Sequence, residues 1–104
     1  MDNGKWGACH TLDIGLVFGN LSAAESLTGT NAAAQRVSAQ MRDAFLAFAR
    51  TGNPDHGGIP EWRPYRLPRR ETLVIDVQSR MQNDPRGMER ELFNKVPYVQ
   101  RGTL

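Results

Sequence analysis

The sequence predicts a mixed helix-and-strand chain: one long amphipathic helix, one short strand, a short C-terminal helix and long loops. Two observations carry the regular elements. Val37, Met41, Ala44, Phe45, Phe48 and Ala49 fall at i, i+4, i+7, i+8, i+11 and i+12, which is one face of a helix. Residues 72–77 form a short run rich in β-branched side chains, the pattern of a strand. A third observation separates the two. Residues 53–68 hold four of the six prolines, so that stretch is an ordered or extended loop.

Each element follows from its residues. Residues 1–30 read as mostly irregular, rich in Gly, Asn, Ser and Thr, with Leu16-Val17-Phe18 as an apolar patch that needs cover. The long helix runs from Asn31 or Ala32 to Thr51, with Gln35, Arg36, Gln40, Arg42, Asp43 and Arg50 on its polar side. Thr30 or Asn31 can cap its start by accepting a first-turn N–H. Gly52 suits the left-handed stop, and Pro54 blocks extension. After the strand, residues 78–84 read as a polar connection. Residues 85–95 read as the last helix, with Pro85 in its first turn, Asp84 as its cap, and Met88, Leu92 and Phe93 as an apolar edge. Pro97 ends it, and the final residues are expected to fray.

Composition sets the outer limits. At 104 residues the chain is one domain at most. With 39% apolar and 23% charged residues it suits a globular chain rather than wholesale disorder. A net charge of +2 does not by itself imply a nucleic-acid partner. No stretch approaches the roughly 20 apolar residues of a membrane span. Met1-Asp2-Asn3-Gly4-Lys5 is polar and lacks a signal-peptide core. Location is left open, cytoplasmic by default. A single cysteine, Cys9, excludes an intrachain disulfide.

The segment from Gly7 to Asn20, reading Gly-Ala-Cys-His-Thr-Leu-Asp-Ile-Gly-Leu-Val-Phe-Gly-Asn, places His10 in a small-residue loop ahead of Asp13 and an apolar run. It resembles the stretch around the catalytic histidine of the type B carboxylesterases, an α/β-hydrolase family. Gly15 stands where that family usually has proline, and Leu16 where it often has phenylalanine. The likeness continues through Phe48-Ala49-Arg50-Thr51-Gly52-Asn53-Pro54, then Pro60-Glu61-Trp62-Arg63-Pro64-Tyr65, then residues 72–76, and finally Pro85-Arg86-Gly87-Met88-Glu89-Arg90. These motifs in this order imply an α/β-derived fold class: residues 1–104 as a single partial domain, the C-terminal segment of a carboxylesterase-like hydrolase. The resemblance implies that His10 is the triad base, that Asp13 supports it without being the triad acid, and that the residue 72–77 strand lies at a sheet edge.

The rest of a triad is not in these residues. In this fold the order is Ser, then Asp or Glu, then His, with the serine in G-x-S-x-G. Ser22, Ser26, Ser38 and Ser79 lack glycine at both −2 and +2. A histidine without a nucleophile and an oxyanion hole cannot run acyl transfer. The chain is therefore expected to be inactive alone and to act on a carboxylic ester only with an upstream esterase portion. Without one, self-association into a homo-oligomer is expected, through strand pairing or exchanged helices, because one short strand and the Val37, Met41, Phe45 and Phe48 face would lose their partners.

Other residues carry weaker signals. Cys9 adjoins His10, but neighbours in an extended segment point to opposite sides, which disfavours a Cys-His dyad. His56, in Asp55-His56-Gly57-Gly58, reads as a solvated loop residue. His10, His56 and Cys9 lack metal-ligand spacing, so no metal or cofactor is expected. Arg63, Arg66, Arg69 and Arg70, with Trp62 and Tyr65 among them, are a weak pointer to nucleic acid that Glu61 and Glu71 offset. No nucleic-acid or membrane partner is expected.

Overall fold

The computed structural model describes residues 5–23 and 26–97. Its elements run α1 (Leu12–Phe18), α2 (Ala32–Thr51), β1 (Glu71–Val74), β2 (Arg80–Asn83) and α3 (Gly87–Asn94). The expected fraying of the last residues lies outside the described residues.

The first element corrects the expectation of an irregular N-terminal third. Leu12 and Leu16 lie four apart and turn one side inward, leaving Leu16 buried. Gly19, at φ 70°, stops the helix, and Asn20 N–H donates to the Gly15 carbonyl at 3.0 Å. Coiling and packing of α1 on α2 thus cover Leu16, half-cover Val17 and leave Phe18 exposed.

Helix α2 has the predicted ends. The Asn31 side chain accepts from Ala34 N–H at 2.9 Å. Gly52, at φ 75°, donates to the Phe48 carbonyl at 2.7 Å, a backbone conformation that a Cβ would disfavour. Its apolar face is partly uncovered, as expected of that face without its partners. Ser38 and Ala44 are buried, and Val37 and Met41 are half-buried. Phe45 and Phe48 remain 59% and 58% exposed. The helix spacing is as read, but too little of the chain packs on α2 to cover the width of its apolar face.

The single predicted strand is a two-stranded antiparallel hairpin, with Glu71 opposite Asn83, Thr72 opposite Gln82, Leu73 opposite Met81 and Val74 opposite Arg80. Side chains alternate, so Glu71 and Leu73 turn inward together. Residues 75–79, read as continuing strand and polar connection, reverse the chain. Asp76 N–H donates to Ser79 Oγ at 3.2 Å. Helix α3 starts at Gly87, two residues after Pro85, and has no side-chain cap. Asp84 contributes its carbonyl to Gly87 N–H at 3.0 Å, and its carboxylate to Arg90. No residue of α3 is buried.

The whole is open. Its Cα radius of gyration is 16.5 Å, against about 13 Å for a compact domain of this length. Its accessible surface is 8435 Å², against about 5,800 Å² for a compact monomer of its mass.

Candidate functional site

His10 lies at the turn that leads into α1, with its side chain exposed. The turn is closed by Leu12 N–H donating to the Cys9 carbonyl at 3.3 Å and Ile14 N–H to the Thr11 carbonyl at 3.1 Å. Between His10 and the helix stands Thr11, at φ 68°. A β-branched residue is strained in the left-handed region, by roughly 1–3 kcal/mol. Such a conformation persists only where neighbouring structure holds it.

Two contacts hold α1. Ser38 Oγ, on α2, donates to the Leu16 carbonyl at 2.6 Å in a buried position. The second is at Gly15, where a Cβ would stand 2.9 Å from Ser26 Oγ and 3.4 Å from Thr28 Cγ2. The residue that replaces the family's usual proline therefore lets the 26–28 segment lie directly on α1. That segment is itself braced by a 2.7 Å hydrogen bond between the Ser26 and Thr28 hydroxyls.

Asp13 is exposed in the first turn of α1, where its charge complements the helix dipole. No hydrogen bond joins it to His10. Both Asp13 and Cys9 line an open groove of about 780 Å³, floored by Leu16, Val37 and Met41 and bounded by Val77. His10 is not among its lining residues, so Cys9 and His10 face different surroundings. Cys9 is a half-exposed free thiol. Among the described residues, no three His, Cys, Asp or Glu side chains gather as a metal site.

His56 corrects its reading as a solvated loop residue. Its Nδ1 accepts from Gly58 N–H at 3.1 Å, which leaves Nε2 to carry the proton and donate to the Gln40 carbonyl at 3.1 Å. Gln40 also accepts from Ser79 through its side-chain oxygen. One residue of α2 thus ties down both the proline loop and the hairpin turn. Sequence offered no signal for this tether, since its partners lie 16 and 39 residues away.

The arginine loop is partly neutralised. Arg69 pairs with Glu71 at 2.9 Å and Arg63 stands 3.7 Å from Glu61. Arg66 N–H donates to Glu71 Oε2 at 3.1 Å. The Glu71 carboxyl is held below its ordinary 4.5, first by its own backbone N–H and then by Arg66 N–H and the Arg69 and Arg66 charges, against the opposing effect of burial. Arg90 holds the Asp84 carboxyl below its ordinary 3.8, mainly by hydrogen bonding.

A histidine turn clamped to a helix pair, followed by a proline loop and a hairpin, is a substructure of the α/β-hydrolases. A carboxylesterase from Geobacillus stearothermophilus, EST55, superposes with a TM-score of 0.71 at 33% identity, over 81% of this chain and 18% of that one. A solved PNB esterase superposes at 0.73 with 31% identity, over 81% and 18%. The chain belongs to the carboxylesterase family, whose pattern it matches over residues 2–93. It is 33% identical over 86 residues to the para-nitrobenzyl esterase of Bacillus subtilis strain 168, covering 81% of this chain and 17% of that relative. The phenmedipham hydrolase of Pseudarthrobacter oxydans is 29% identical, over 72% and 16%. The chain therefore spans about a sixth of the length of the curated relatives it matches. No helix among the described residues is long and apolar enough to cross a membrane.

Proposed function

We propose that this chain supplies the histidine of a serine carboxylesterase site, as the C-terminal portion of that enzyme. The observation that carries the reading is the family match over residues 2–93, which contains His10 in an exposed, clamped turn. In the completed site His10 takes the proton from the serine hydroxyl as it attacks the ester carbonyl, then gives it to the departing alcohol. The serine, the acid that orients the histidine and the oxyanion donors come from residues outside these 104. Asp13 steadies the turn. The open surface supports the reading: about 2,600 Å² more is exposed than a compact monomer of this mass would leave, which is surface an upstream portion could cover.

The test supplies a partner polypeptide bearing G-x-S-x-G and the triad acid, and follows hydrolysis of p-nitrophenyl acetate. This chain alone is expected to be inactive, the pair active, and His10→Ala to lower the pair's rate by about 10³-fold or more. A pair that keeps full activity with His10→Ala would sink the reading.

A second reading is favoured by the exposure of Phe45, Phe48, Met88 and Phe93: a non-catalytic module that self-associates into a homo-oligomer. Here assembly survives His10→Ala. A monodisperse monomer in size-exclusion chromatography with light scattering would remove it.

A further inference from the structure

We infer that Ser38 is a positioning residue for His10, acting from α2 through α1. The inference rests on the reading of His10 as the esterase base. Ser38 is polar yet only 4% exposed, on a helix whose phenylalanines face outward. Its hydroxyl donates to the carbonyl of Leu16, in the last turn of α1, across 22 residues of sequence. A serine at a buried position needs a partner, and a helix-end carbonyl needs a donor. This bond satisfies the hydroxyl, adds to the Gly19 N–H that the same carbonyl accepts at 3.4 Å, and ties the last turn of α1 to α2.

The consequence falls at the other end of α1. Thr11 holds φ 68° immediately before the helix, and His10 immediately precedes Thr11. If α1 slides or frays, Thr11 relaxes toward ordinary backbone angles and the imidazole swings with it. Gly15 makes the second half of the clamp, since it lets the Ser26 and Thr28 side chains lie against α1. Ser38 never touches the reacting atoms. It sets where the ring stands.

The experiment compares Ser38→Ala with Thr51→Ala in the full chain. Thr51 makes a similar hydroxyl-to-carbonyl bond, to Ala47 at 2.9 Å, at the far end of α2. Ring signals of ¹⁵N-labelled histidine, with His10 assigned by its loss in His10→Gln, and amide exchange along α1 and α2 are the readouts. Ser38→Ala is expected to move the His10 signal and to speed exchange of α1 amides about three- to tenfold, with α2 still protected. Thr51→Ala is expected to do neither. An unmoved His10 signal in a folded Ser38→Ala chain overturns the inference. Should that variant unfold, as loss of α2 protection would reveal, Ser38→Cys replaces it: it nearly keeps the volume but offers the Leu16 carbonyl a much weaker donor, and the same His10 shift is expected. An unmoved signal there overturns the inference too. These readouts need no catalysis, so failure to restore hydrolysis would count against the esterase reading alone. In a restored enzyme Ser38→Ala should lower kcat with KM held, whereas loss of folded protein alone would lower the amount of active enzyme and leave the pH profile unchanged.

Discussion

The α1–α2 pair and the hairpin with α3 are held together by different physics. The helix pair buries Leu16 and a neutral hydrogen bond from Ser38. The hairpin buries Leu73, but much of what fixes its surroundings is charged: Arg69 to Glu71, and Arg90 to Asp84 at 2.7 Å. Helix α3 then presents Met88, Leu92 and Phe93 at 85%, 61% and 71% exposure, with no element packed on it. The difference teaches where the chain is finished. The part that carries His10 has its own clamp, whereas α3 has its apolar side uncovered among the described residues.

The sharpest way to break that comparison is to remove one buried leucine from each region. Leu16→Ala removes most of the apolar contact between α1 and α2 and should cost about 3 kcal/mol in urea denaturation. Leu73→Ala, in a two-stranded sheet with an exposed surround, should cost about 2 kcal/mol. An equal or reversed order would mean the hairpin is the better-packed region.

Acid should separate the regions without mutation. Glu71 and Asp84 both have folded pKa values below their ordinary 4.5 and 3.8. A lowered folded value means that the carboxylate stabilises the fold above the ordinary value, and that this contribution disappears as pH falls through the lowered one. The hairpin and α3 should therefore loosen as pH drops from about 4.5 downward, while the α1–α2 contact, apolar and hydrogen-bonded by a neutral hydroxyl, holds longer. Amide exchange at stepwise pH reads this directly. The two devices differ in kind: Glu71 is 4% exposed but its Arg69 partner is 63% exposed and solvent-screened, whereas Asp84 and Arg90 are 28% and 31% exposed and joined through both carboxylate oxygens. Simultaneous loosening of both regions would erase the contrast.

The two regions also differ in how far sequence reveals them. Helix α2 was legible to its caps, because a 20-residue element repeats its period several times and ends on Asn31 and Gly52, whose chemistry is local. Helix α1, at seven residues, shows the period only once, through Leu12 and Leu16, and Gly15 in its middle argues for a loop until the contact with Ser26 is known. Strand β2 reads Arg-Met-Gln-Asn, with no β-branched residue, so only its pairing with β1 makes it a strand. His10 stood out because its neighbours resemble a family motif. Ser38 did not, because its partner is fixed by tertiary packing and no spacing rule reaches across 22 residues. The outward Phe45 and Phe48 agree with the expectation that this face would lack partners, which came from the family resemblance and not from spacing: periodicity states which residues share a face, and it cannot state whether anything covers that face.

The smallest expected effect tests what covers α3. Met88 and Phe93 are so exposed that changing both to serine removes little apolar burial within the chain, and its unfolding free energy should move by no more than about 0.5 kcal/mol. Association should respond far more. Met88 and Leu92 lie four apart on α3 and form one apolar stripe, with Phe93 beside it. If that stripe meets a second copy or an upstream esterase portion, the double substitution weakens assembly or complementation while leaving the monomer's denaturation curve in place. If instead the stripe already folds back on this chain in solution, the substitution lowers stability and leaves association unchanged. Light scattering and urea denaturation on the same variant distinguish the two, and a large stability loss would show that the hairpin end is more complete than its exposed surface indicates.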